Sequence, residues 1–287
     1  MQSTGILLAI LSALFMGTIG VFSRITALPA ETITFFRLLL GAVFLALFLI
    51  ASRQWRVLGQ WPTLPVLING GLLAGFIIFY VQAMDHTSMA NAIMLVYLAP
   101  VAASVFAHFF LGERLDPAGW GLILTAMAGF GAMMEFRLDV ASGSGQATGL
   151  IFAALAMVCY AAFILINRLI RPEVPVMTRA FFQLLTGAVV MFPFFLASGP
   201  VLHLSHLPWL LGVGLVPGFL AITFAVCALS RLPAATFGTL AYFEPLAVII
   251  FGWVLFAETL SPLQLTGCLA ILGSGCLKAW LSRAATQ

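Results

Sequence analysis

Apolar residues run without alternation through most of this chain, and turn residues or charges cut them into ten stretches: 4–25, 32–51, 65–84, 90–111, 117–134, 148–169, 176–197, 208–228, 234–257 and 262–281. A helix needs about 20 such residues to cross the hydrocarbon core of a bilayer. A closed β-barrel is the other way to span a membrane, but its strands alternate apolar and polar positions, and these runs do not. The pattern predicts an all-α polytopic membrane protein with ten transmembrane helices.

One stretch occurs twice. Met94 to Pro117 reads MLVYLAPVAASVFAHFFLGERLDP, and Thr239 to Pro262 reads TLAYFEPLAVIIFGWVLFAETLSP. An offset of 145 pairs Tyr97 with Tyr242, Pro100 with Pro245, Glu113 with Glu258 and Pro117 with Pro262. Gly71, Gly75 and Phe76 answer to Gly214, Gly218 and Phe219, and GAVFLALFLIAS from Gly41 answers to GAVVMFPFFLAS from Gly187. The small polar stretch 141–147, ASGSGQA, is then a linker between a first repeat, 1–140, and a second, 148–287. Each repeat holds five helices, an odd number, so the second enters the membrane upside down. Inverted repeats of this kind mark secondary transporters, which hold their solute near mid-bilayer at the seam.

Composition agrees and narrows the classes. The 287 residues are 63% hydrophobic and 7% charged, against roughly a quarter charged in soluble domains. The net charge of +3 is no nucleic-acid signal, because the basic residues stand singly between apolar runs. With a cytoplasmic amino terminus, Arg24 and Arg137 are the only basic loop residues outside, while Arg53, Arg56, Arg114 and others lie inside. That asymmetry predicts both termini in the cytoplasm, and the six tryptophans fall near span ends as headgroup anchors do. The first run lacks the flanks of a removable signal peptide. Cys159, Cys227, Cys268 and Cys276 show no CxxC spacing and read as packing residues. The chain has no GxxxxGK[ST] loop, no HExxH pair, no serine nucleophile turn and no paired deep carboxylates. The expectation is a protein that is not an enzyme, with no catalytic residues, no metal and no cofactor. Its expected partners are a small solute and the lipid bilayer, with no nucleic acid, and a monomer is the simplest unit.

Two five-helix repeats, each closing on a proline, an apolar turn and a carboxylate (Pro100 with Gly112 and Glu113, then Pro245 with Ala257 and Glu258), resemble the drug/metabolite transporter superfamily and its EamA-type exporters. The likeness covers essentially the whole chain, and the tyrosine-bearing third and fourth spans look most like the bacterial aromatic amino acid exporters. The resemblance implies a secondary transporter of the cell inner membrane that exports small neutral, aromatic amino acids by alternating access. Export of other metabolites or aromatic cationic drugs is the alternative, and a passive channel is a third reading.

The candidate site follows from where polar groups enter the apolar runs. Tyr80, Tyr97, Tyr160 and Tyr242 all lie deep in spans, where a phenol needs a partner and so faces protein or a wet cavity. Phe76 and Tyr80 share a helix face. With Glu244, the only deep carboxylate, these six residues are the expected substrate-binding set. Glu244 has two open roles: binding an ammonium or a coupling proton, or latching a backbone carbonyl in its protonated form. Tyr242 and Glu244 stand about 200° apart on a regular helix and can face one cavity only if the helix is distorted. Pro100 and Pro245 each free a carbonyl and are expected as hinges or kinks along the path. Arg37, shallow in the second run, is expected to snorkel outward toward Glu31, Asp85, Glu135, Asp139 or Glu258.

Overall fold

The computed structural model describes residues 2–57, 59–136, 146–199 and 201–284. Residues 141–145 of the expected linker, together with Arg137 and Asp139, lie outside the described residues. Among the described residues every regular element is helical: α1 Gln2–Thr26, α2 Ala30–Ala51, α3 Leu64–His86, α4 Met89–Val96, α5 Ala99–Phe110, α6 Pro117–Met133, α7 Gln146–Leu169, α8 Val176–Ala197, α9 Leu207–Val213, α10 Ala221–Leu229, α11 Ala234–Ala241, α12 Phe243–Phe256 and α13 Pro262–Ala284. A π-helical turn, Gly214–Leu220, joins α9 to α10 around Pro217. Among the described residues eight helical stretches are long and apolar enough to cross a membrane, and α6 is a shorter apolar helix of 17 residues.

Local chemistry explains the ends. The fourth apolar run divides into α4 and α5 at Tyr97 and Leu98, just ahead of Pro100, and the ninth into α11 and α12 at Tyr242, ahead of Pro245. Each proline lacks the N–H that would continue the ladder, so the helix yields at its preceding turn. After α5, Gly112 takes φ +69° and the Glu113 N–H returns to the Ala107 carbonyl at 3.1 Å. After α12, Ala257 takes φ +53° and the Glu258 N–H returns to Gly252 at 3.2 Å. Both are Schellman closures, so the alanine adopts the same left-handed turn as the glycine, at a steric cost. The next helix starts alike in both copies. Pro117 follows Asp116, which accepts from the Gly119 N–H at 2.9 Å, and Pro262 follows Ser261, which exchanges bonds with Gln264 at 3.0 and 3.2 Å.

The main packing crosses between 1–140 and 148–287: α3 lies on α7 and α8, α2 on α8 and the π turn, α1 on α10 and α12, α5 on α11, and α6 on α13. Small residues allow these approaches. A side chain at Gly70 would meet the Gln183 carbonyl at 2.8 Å, and one at Gly129 the Gly267 carbonyl at 2.9 Å. A buried polar relay joins three helices, with Gln183 donating to Asn167 at 3.0 Å while Asn167 and Asn69 both donate to the Phe163 carbonyl. Against apolar walls these bonds fix the register of α3, α7 and α8, while the amide oxygens of Asn69 and Gln183 stay buried without a partner among the described residues.

Candidate functional site

A cavity of about 370 Å³ lies among α1, α2, α3, α4, α7 and the α11–α12 break. It reaches from Ala9 and Ile222 in the middle of the bundle to Ser23, Ala30, Met84 and Met89, which flank the α1–α2 and α3–α4 turns. Phe76, Tyr80, Tyr97, Tyr160 and Glu244 all line it. The Phe76 ring stacks on Tyr160 with centroids 5.2 Å apart and on Tyr80 at 6.5 Å, so two helices present one continuous aromatic wall. The volume falls in the usual range for a small-molecule pocket, and the mix of aromatic surface with a few polar groups is typical of one.

Tyr242 takes a different place. It is fully buried, does not line the cavity, and donates its hydroxyl to the Tyr97 carbonyl at 2.7 Å. That acceptor belongs to the break between α4 and α5, so the phenol of one copy bonds the backbone at the break of the other. The break at Tyr242 also removes the geometric conflict with Glu244, since the two no longer sit on one regular helix. Glu244, in the first turn of α12, lines the cavity and makes no hydrogen bond with the described residues, so no carbonyl is latched by it.

Arg37 departs most from expectation. Instead of reaching the interface it is 4% exposed, seven residues into α2, and it lines the cavity. Among the described residues its only hydrogen bond is from Nη1 to the Met16 sulfur at 3.8 Å, while Nε and Nη2 are buried without a partner there. The cause lies in the backbone. Gly218 of the π turn packs against the Arg37 carbonyl, and a side chain at Gly41 would meet Gly218 at 3.0 Å, so α2 is pinned with this face turned inward. Such π turns occur preferentially at functional sites. An in-run proline at Pro217 was the sequence signal for it. No ion pair joins Arg37 to Glu244, although both line the cavity.

The cavity is shut at the end away from the α1–α2 turn. There Glu113 accepts from Arg168 Nε at 2.7 Å and from the Ala234 N–H at 2.7 Å, and Arg168 also donates to the Leu229 carbonyl at 3.1 Å. This ties the loop after α5 to the end of α7, the end of α10 and the start of α11. At the other end Glu258 pairs with Arg24, and both side chains are about half exposed. His108 stays structural, its Nδ1 accepting from the Leu115 N–H at 3.0 Å in the turn before α6.

Comparison with known proteins places this geometry. A solved structure is similar over 99% of this chain and 100% of its own, with a TM-score of 0.84 at 24% identity, a likeness of fold. The threonine/homoserine exporter RhtA of Escherichia coli K12 is 28% identical over 247 residues, 85% of this chain and 80% of that protein. An uncharacterized transporter of Archaeoglobus fulgidus is 28% identical over 273 residues, 94% of each chain. The model of the EamA-like transporter family matches twice, at residues 3–134 and 147–277. The chain is therefore a multi-pass membrane protein that belongs to the EamA-like transporter family, within the drug/metabolite transporter superfamily.

Proposed function

We propose that this protein is a secondary exporter of the bacterial cytoplasmic membrane that moves small neutral amino acids, aromatic ones foremost, outward by alternating access between two inverted five-helix halves. The observation that carries it is an aromatic-walled cavity at the seam of the halves, shut at one end and extending to the turns at the other. Several features support the inverted arrangement. Exchanging the halves turns the α3–α7 packing into α1–α10 and the α5–α7 packing into α1–α12, and leaves α2–α8 and α6–α13 paired as they were. The Arg24–Glu258 and Arg168–Glu113 pairs are related by the same exchange and lie at opposite ends of the bundle. With both termini in the cytoplasm, the end shut by Glu113 faces inward, and the state is outward-facing.

The gate then has a simple chemistry. Glu113 holds the start of α11 through the Ala234 N–H, whereas its counterpart Glu258 has not captured the start of α4, where Met89 is the equivalent residue. Tyr242 likewise bonds the Tyr97 carbonyl. Reversing both choices opens the inner end and shuts the outer one. Two arrangements of similar packing, exchanged by rocking, are what alternating access requires.

Proteoliposomes loaded with labelled phenylalanine or tryptophan, with threonine alongside because of the RhtA likeness, test the reading. Saturable efflux with counterflow exchange is expected. Efflux of all three no faster than from protein-free vesicles would overturn the substrate class, and linear, non-saturating flux would make the protein a channel. Aromatic cations are a weaker fit, because Arg37 shares the cavity with Glu244 and repels them.

A further inference from the structure

The cavity contains one cation and one carboxylate that neither pair with each other nor find other protein hydrogen-bond acceptors or donors of matching charge. Arg37 offers Nε and Nη2, both buried and both unpartnered. These two nitrogens share one edge of the guanidinium plane, the edge that engages a carboxylate through two parallel bonds. A guanidinium this buried without a counter-ion is costly, and within a bilayer such a residue is retained for a role. Escape to the headgroups is closed off, because Gly218 and Gly41 lock α2 against the π turn and Arg37 sits about 10 Å along the helix from its start. Glu258, a nearby acid of this end, is already engaged by Arg24.

We infer that Arg37 and Glu244 form a two-ended seat for a zwitterion, the Arg37 fork taking the α-carboxylate of a free amino acid and Glu244 its ammonium. The side chain of the solute then lies against the Phe76, Tyr80 and Tyr160 wall. The two ends carry equal and opposite charge, so a solute bearing both groups neutralises the cavity. An amine without a carboxylate leaves Arg37 unpaired, and a carboxylate without an amine leaves Glu244 unpaired. The seat therefore selects free α-amino acids over their decarboxylated, deaminated or esterified relatives. It rests on the amino-acid reading above and deepens it by naming the group each end of the solute must carry.

Ligand-induced thermal stabilisation of the full-length protein in detergent tests this without any mutation. Phenylalanine and threonine are compared with phenethylamine and 1-amino-2-propanol, which lack the carboxylate, and with 3-phenylpropionate and 3-hydroxybutyrate, which lack the amine. The parent protein is expected to require at least roughly 30-fold more of either analogue than of its amino acid for equal stabilisation, the ratio that follows from leaving one buried charge unpaired. Arg37→Gln is expected to erase the advantage of the amino acid over the amine, and Glu244→Gln its advantage over the acid. Arg37→Lys keeps the charge without the fork and falls between. If an amine or acid stabilises the parent protein as well as its amino acid does, the seat is refuted while the amino-acid reading stands. If neither amino acid stabilises the protein and neither is exported, both fall.

Discussion

Glu113 and Glu258 occupy the same position of the two sequence copies, yet their environments predict very different consequences of substitution. Glu113 is 15% exposed and its partner Arg168 26%; the carboxylate accepts from Nε and Nη2 of the arginine and from the Ala234 N–H, each at 2.7 Å. Breaking one partner of a fully buried pair costs about 3–5 kcal/mol, and the residual exposure here lowers that to about 2–3 kcal/mol. Glu258 and Arg24 are 47% and 54% exposed, where an ion pair contributes about 0–1 kcal/mol. Glu113→Gln should therefore shift the gate equilibrium roughly 30- to 150-fold toward opening of its end, and Glu258→Gln by less than about fivefold. A reporter cysteine at Ala9, deep in the cavity, reads the opening once Cys159, Cys227, Cys268 and Cys276 have been replaced. An impermeant thiol reagent is applied to oriented vesicles from the side of Glu113. Labelling at least about tenfold faster in Glu113→Gln than in the parent is expected, with little change in Glu258→Gln. Equal labelling rates in the two variants would refute the assignment of the inner gate.

Three further outcomes follow from the same geometry. Gly218→Ala pushes a methyl into the Arg37 carbonyl, and at about 1–3 kcal/mol for such overpacking it should lower Tm and weaken transport together. Ala257→Gly relieves a left-handed alanine and should stabilise by up to about 1 kcal/mol, while Gly112→Ala should cost a similar amount, both read from Tm in detergent. Tyr242→Phe leaves the Tyr97 carbonyl without its 2.7 Å bond and should cost about 1–2 kcal/mol. Because that phenol belongs to the closed inner end and does not line the cavity, labelling of the Ala9 reporter from the side of Glu113 should also rise, by roughly 5- to 30-fold.

Much of the architecture was legible in the residues. Runs of about 20 apolar residues leave the backbone no choice but helix in lipid. The breaks at Tyr97–Leu98 and Tyr242 sit where Pro100 and Pro245 remove N–H groups, and the Schellman turns at Gly112 and Ala257 follow from the doubled motif. Phe76, Tyr80, Tyr97, Tyr160 and Glu244 converge as the placement of polar groups at depth suggested.

Which face of each helix turns inward was not legible. In water an amphipathic stripe reveals the buried side, but in a bilayer lipid and core are equally apolar, so a uniformly apolar run carries no rotational signal. Rotation is decided by close approach, as where Gly41 and Gly218 bring α2 against the π turn. That contact carries Arg37 into the cavity, and the packing around the α4–α5 break draws Tyr242 out of it to the Tyr97 carbonyl. The sequence by itself determined helices, breaks and duplication, because these arise within a few residues of chain. Only the tertiary structure decided which polar groups meet, because that depends on how small residues from distant segments let the helices touch.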